Sequence, residues 1–227
     1  MQKYIVIADD LTGSNATCSL FKKIGLRAAS ILKLQGDINY DVDVISYSTA
    51  SRGLDKEEAY KKVSEAIKIL KNKDVLVYNK RIDSTLRGNI GTEINAMLDN
   101  LEDDRIAVVI PSYPDSGRIV VNKTMLVNGV LLENSDAGKD PKTPIKTSCV
   151  ESLIQKGIKY SSTYFTLSDI EQPIEEIVKK IQEAIKKSRV LIFDAVNNED
   201  IIKISKAIIN SDINIVTVDP GPFTLYY

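Results

Sequence analysis

Asp9 and Asp10 stand side by side where the apolar run YIVIA (4–8) ends, followed by Thr12, Gly13 and Ser14. Adjacent carboxylates can accept hydrogen bonds from hydroxyls or hold a magnesium ion. Gly13 lets backbone amides approach a ligand, and Ser14 is placed to cap the helix that follows. The plain structural alternative is an Asp–Thr–Gly turn. The segment is not a Walker A loop, since the glycine spacing and the Lys–Ser/Thr pair are missing. Nor is it the D-x-D strand end of the haloacid-dehalogenase phosphatases, so a magnesium phosphatase is the weakest of the readings.

Three further segments concentrate polar chemistry. YSTASRG (47–53) carries Thr49, Ser51 and Arg52, and a guanidinium there can grip a carboxylate through two parallel hydrogen bonds. In NKRIDSTLRGNIGTE (79–93), Lys80, Arg81 and Arg87 surround Asp83, Ser84 and Thr85, with Gly88 and Gly91 flanking a helix expected to start near Asn89. Such a helix start adds backbone donors and partial positive charge to an anion site built by the cations. The alternative is an Asp–Arg pair that only locks a loop. PSYPDSGRIV (111–120) has two stiffening prolines, Gly117, and Arg118 able to reach inward. Arginines beside serine, threonine and aspartate suit a small polyhydroxylated acid: guanidinium for the carboxylate, aspartate for the hydroxyls.

Composition restricts the chemistry. The 227 residues contain no histidine, which removes Ser–His–Asp and Cys–His nucleophiles and His-containing zinc sites. Acid–base work falls to Asp, Glu, Lys, Tyr or Cys. Thirty basic against 31 acidic residues leave a net charge of −1, so no overall field holds a nucleic acid. Cys18 and Cys149 are in no metal spacing and read as thiols of a reducing compartment. YIVIADD is neither a signal region nor a membrane span, which gives a cytoplasmic, soluble expectation.

The elements that must hold these loops follow from the hydrophobic pattern. Short Ile/Val-rich runs at 4–8, 41–47, 74–79, 105–110, 189–193 and 214–218 are nearly continuous rather than alternating, as in strands buried on both faces. Between them, residues 54–70, 174–185 and 201–209 show one apolar stripe at helical spacing. The fold class predicted is α/β: an open, mostly parallel sheet with helices on both faces. Residues 118–132, with VNG at 127–129, read as an inserted strand pair or flap. Ligands gather at the carboxyl ends of such strands, where all four polar segments lie.

IADDLTGSNAT, STASRG, KRIDSTLRGNIGTE, PSYPDSGRIV and GKDPKTP, in this order, resemble the four-carbon acid sugar kinase family, in its N-terminal sugar-acid-binding domain. FDAVNNEDI (193–201) extends the likeness over most of the chain. The resemblance implies ATP-dependent phosphorylation of a hydroxyl on an acid such as threonate, erythronate or an oxo-tetronate. It implies ATP and Mg2+ as cofactors, with the nucleotide held mainly by a C-terminal domain, in cis or as a separate chain. Asp9, Asp10 and Asp83 fall on its motifs as candidates for orienting hydroxyls and accepting the proton. Thr12, Gly13, Ser51, Arg52, Ser84, Arg87, Gly88, Gly117 and Arg118 fall on them as substrate-binding candidates, with Arg52 and Arg87, then Arg118, for the carboxylate. Ala16 stands where the family has Asp, and Asn122–Lys123–Thr124 where it often has Gly–His. The expected organisation is a sugar-acid-binding domain over 1–218, with 219–227 opening a linker to the nucleotide-binding half. A homodimer is a further candidate assembly. The rival function is a sugar-acid-binding module without catalysis.

Overall fold

In the computed structural model, which describes residues 3–34, 40–101 and 103–227, an eight-stranded sheet runs in the order β2-β3-β1-β4-β11-β5-β10-β9. Its strands are β1 (Tyr4–Ala8), β2 (Ala28–Ile31), β3 (Val44–Ser48), β4 (Val77–Arg81), β5 (Ile106–Val109), β9 (Ser162–Phe165), β10 (Val190–Phe193) and β11 (Ile215–Asp219). All neighbours in this sheet pair in parallel. The six apolar runs each supply one strand. β2 and β9 were not expected, because AASI and STYF are too short and too polar to stand out from their surroundings.

The helices cover both faces. α2 (Lys56–Leu70) and α3 (Ile90–Leu101) pack on Ile5, Ile7, Ile45 and Tyr78. α1 (Leu11–Lys23) covers Val6 and Val44 on the opposite side. α6 (Ile174–Ile185) and α7 (Asn198–Asn210) bury Ile106, Val108, Leu191 and Phe193. Alternate residues of one strand thus feed opposite cores, which is why the runs are apolar throughout. Two short helices, α4 (Val150–Gln155) and α5 (Leu167–Ile170), complete the crossovers.

The inserted flap has three strands rather than a pair: β6 (Arg118–Val121), β7 (Thr124–Val127) and β8 (Val130–Leu131), all antiparallel. It is stitched to the domain by Val120 N–H donating to the Ala195 carbonyl at 2.9 Å and Met125 N–H to that of Ser148 at 2.9 Å.

Residues 219–227, expected to open a linker, belong to the fold. Asp219 ends β11, and α8 (Pro222–Tyr226) follows at once. Phe223 is fully buried in the core of α6 and α7, and Tyr227 packs against it at a ring distance of 5.9 Å. Of the aromatic residues in this segment, Tyr226 is the exposed one.

Gly91, in the first turn of α3, marks a close approach. A Cβ there would lie 2.5 Å from the Ile154 carbonyl oxygen and 2.8 Å from that of Lys156. Alanine ordinarily favours a helix over glycine by about 1 kcal/mol. Here the crowding is against backbone, so Gly91→Ala is expected to destabilise the chain by about 1–3 kcal/mol. Urea unfolding checks this; a raised midpoint would mean that the 154–158 backbone yields.

Candidate functional site

The ends of β3, β1, β4 and β11 are level, since Ala8 pairs with Ser48 and Arg81, and Arg81 with Asp219. The chain leaves β1 toward one edge of the sheet and later leaves β4 toward the other. The loops after β1, β3 and β4 therefore meet at the crevice where an open parallel sheet places ligands.

At its centre is Arg52. Its Nε and Nη2 donate to the two oxygens of Asp9 at 2.7 and 3.1 Å. Nη1 lies 2.8 Å from Asp10 Oδ2, and Nη2 lies 3.6 Å from Asp83 Oδ1. The loops are also tied through backbone: Thr49 N–H donates to the Ala8 carbonyl at 2.9 Å, and Arg52 N–H to that of Asp9 at 3.3 Å. Arg87 repeats the bidentate grip on Asp83, at 2.6 and 3.0 Å, and reaches Asp140 Oδ2 with Nη1 at 2.8 Å. Four carboxylates and two guanidiniums thus form one network, of formal charge 2 − 4 = −2.

Burial pushes the Asp9 carboxyl above its ordinary value, against the pull of Arg52 and Lys80. Burial also acts on Asp83, but Arg87, Arg52 and Thr85 outweigh it and hold that carboxyl below its ordinary value. Asp140 is likewise held low, first by the Thr143 backbone N–H and then by Arg87. Depressed carboxyls stabilise the fold above their unfolded value of about 3.9 and lose that contribution as pH falls below it. Arg87→Ala should therefore lower the urea midpoint clearly at pH 7, and the gap to wild type should narrow at pH 3. A gap independent of pH would show that the pairing with Asp83 and Asp140 is not what Arg87 contributes.

Several assignments change with the geometry. Asp10, not Ser14, caps α1: its Oδ1 accepts from Gly13 N–H at 2.6 Å. Ser14 is buried one turn in, bonded to Ser30 and Ser46. Lys80 and Arg81 do not supply an anion site. Lys80 is fully buried and pairs with Glu93 at 2.7 Å, while Arg81 Nη1 donates to Thr17 Oγ1 at 2.9 Å. Ser51 donates to Glu93 Oε1 at 2.5 Å, so it supports the loop from behind.

The cluster therefore gathers Asp9, Asp10, Gly13, Arg52, Asp83 and Arg87, with Ser51 beneath it and Gly88 placed so that a Cβ there would lie 3.3 Å from Arg52 Cγ. Thr12 is exposed and Ser84 half-buried, and among the described residues neither hydroxyl has a hydrogen bond. Gly117 and Arg118 sit at the root of the flap, where Arg118 Nη1 donates to the Ser116 carbonyl; no hydrogen bond or ion pair joins them to the carboxylate cluster. Arg118 Nε is buried without a partner.

Magnesium does not fit this donor set. Asp9 and Asp10 both face the Arg52 guanidinium, and among the described residues no group of three or more His, Cys, Asp or Glu side chains is arranged to hold a metal ion. Beside Arg52 opens a cavity of about 430 Å³, whose polar lining includes Asn89, Lys142, Lys146 and Lys156 and whose apolar lining includes Leu54, Leu86 and Leu153.

The family described as "Sugar-binding N-terminal domain" matches residues 4–227. The chain belongs to it. Within this sugar-binding family, the chain is 40% identical to the D-erythronate kinase of Heliobacterium modesticaldum, over 99% of the chain and 52% of that protein. It is 32% identical to the D-threonate kinase of Salmonella typhimurium, over 90% of the chain and 48% of that protein. It thus spans about half the length of the curated relatives it matches, and corresponds to the N-terminal domain of the four-carbon acid sugar kinases. A Bordetella bronchiseptica crystal structure, a domain-swapped dimer with bound citrate, superposes with a TM-score of 0.83 at 26% identity, covering 99% of this chain and 55% of that one.

Glu93 and Asp140 escaped the sequence reading. An acid in the first turn of a helix is indistinguishable from an ordinary dipole partner. Asp140 stood in view within GKDPKTP, but nothing local says that Arg87 reaches it from 53 residues away.

Proposed function

We propose that this chain is the substrate-binding half of an ATP-dependent kinase that phosphorylates a hydroxyl of a four-carbon sugar acid of the threonate, erythronate or oxo-tetronate type. The observation that carries the reading is Arg52 held among Asp9, Asp10 and Asp83 at the strand ends, beside a cavity lined by cations. Phosphoryl transfer passes through a loose transition state, so placing the acceptor hydroxyl matters more than a strong base. Asp9 and Asp83 are nearly buried, whereas the Asp10 side chain is 28% exposed. Asp10 is thus the carboxylate within reach of a substrate hydroxyl, while Asp9 and Asp83 fix the Arg52 fork that holds it. ATP and Mg2+ belong to this reading through the kinase relatives. The groups that would bind them are assigned to the C-terminal half of such kinases, since the carboxylates here are committed to arginines.

Calorimetric titration of the chain with D-erythronate, D-threonate and 3-oxo-tetronate tests the reading. Saturable binding of at least one is expected, and no binding of any at millimolar concentration overturns it. Binding without ATP turnover, even when a C-terminal nucleotide-binding half is supplied, would favour the binding module that does no catalysis.

A further inference from the structure

We propose that the cavity beside Arg52 receives the carboxylate end of the acid, with Lys142 as its principal cation; this rests on the sugar-acid reading above. Of the three arginines that sequence alone favours for this task, Arg52 and Arg87 are already engaged, and Arg118 stands apart at the root of the flap. Arg52 serves Asp9, Asp10 and Asp83, and Arg87 serves Asp83 and Asp140, so the network they share keeps a formal charge of −2. A second carboxylate brought against that network meets repulsion, whereas hydroxyl donors meet acceptors.

The adjoining cavity has the opposite character. Arg52, Lys142, Lys146 and Lys156 line it, and no carboxylate does. Among the described residues, none of the three ammonium groups is in an ion pair. The backbone that carries Lys142 is also held in place. Asp140, held by Arg87, accepts from the backbone N–H groups of Lys142 at 2.9 Å and Thr143 at 2.8 Å, which fixes the turn that carries the lysine. The Lys142 side chain then folds across Gly53, the residue after Arg52: a Cβ at Gly53 would sit 2.7 Å from its Nζ. The ammonium thus lies against the loop that carries Arg52. In this arrangement Arg87 is a positioning residue. It acts through Asp140 on Lys142 and does not touch the acid.

The test is calorimetry on the 227-residue chain, with D-erythronate and D-threonate against erythritol, which keeps the hydroxyls and lacks the carboxylate. Inorganic phosphate is the third probe, because a phosphoryl group presents the same kind of anionic oxygen. The acid should bind at least tenfold more tightly than erythritol. Lys142→Met should weaken the acid by about tenfold or more, the scale of one charge-assisted hydrogen bond, and leave erythritol unchanged. Lys142→Arg should retain most of the affinity. Lys142 is exposed, so an unchanged thermal midpoint serves as the folding control. Equal binding of the acid by wild type and Lys142→Met would overturn the assignment while leaving the sugar-acid reading intact. A loss confined to phosphate would reassign the cavity to a phosphoryl group. Wild type that binds neither acid would defeat the underlying reading itself, a result visible before any variant is made.

Discussion

Replacing Arg52 by methionine should cost about 3–5 kcal/mol of stability at neutral pH, the range for breaking a buried ion pair by removing one partner. It should also abolish sugar-acid binding. The reason lies in what remains. The Asp9 side chain is only 4% exposed, and both of its oxygens face the guanidinium. Burial already raises the Asp9 carboxyl, and losing its neighbour raises it further. For an acid whose folded value lies above the unfolded one, the penalty is full at high pH and vanishes as pH falls toward the unfolded value of about 3.9. The deficit of Arg52→Met should therefore shrink as pH is lowered from 7 to 4. The double variant Arg52→Met with Asp9→Asn should be more stable than Arg52→Met alone. Arg52→Lys should recover less than half of the loss, because an ammonium cannot span two oxygens of Asp9 and one of Asp10 at once. Urea unfolding at several pH values reads all of this. A loss below about 0.5 kcal/mol, the scale of an exposed pair, would show that Arg52 is not the keystone of the cluster.

That dependence on convergence explains how far the sequence could be read. The strands were legible because each run is buried on both faces, a requirement written locally in every residue from Ile5 to Ala8. The loops were legible because strand ends dictate where chemistry collects, and Asp9, Arg52 and Asp83 do meet there. What sequence could not supply was who pairs with whom. A guanidinium in a loop reads as a free hand for a substrate carboxylate. Only the fold reveals that Arg52 and Arg87 are already held by four aspartates, and that Lys80 points into the protein toward Glu93. The local order of residues 219–227 was hidden for a similar reason. DPGPF has the composition of a linker, yet Asp219 accepts from Gly221 N–H at 2.7 Å and Asn79 Nδ2 at 2.9 Å, which folds the turn back onto the core.

The Lys80–Glu93 pair extends the same logic beneath the site, and Lys80→Met should also lose about 3–5 kcal/mol. Lys80 is 0% and Glu93 1% exposed. Lys80 Nζ donates to Glu93 at 2.7 Å and to the carbonyls of Arg81 and Ile7 at 2.9 and 3.2 Å, so every proton of the ammonium is used. Removing it strands a carboxylate whose remaining donor is Ser51. Exchanging both partners, Lys80→Met with Glu93→Gln, removes both charges while the amide can still accept from Ser51. It should restore much of the stability, since an uncompensated charge costs more than a missing pair. The pair also has a positional consequence. It joins β4, which leads into Asp83, to α3, and through Ser51 to the loop that carries Arg52. A double variant that regains stability but still binds a four-carbon acid weakly would show that the buried charges set the distance between Arg52 and Asp83. One that regains both would reduce the pair to a structural strut. A single variant as stable as wild type would mean that Glu93 finds another partner, and the buried-pair account would fail.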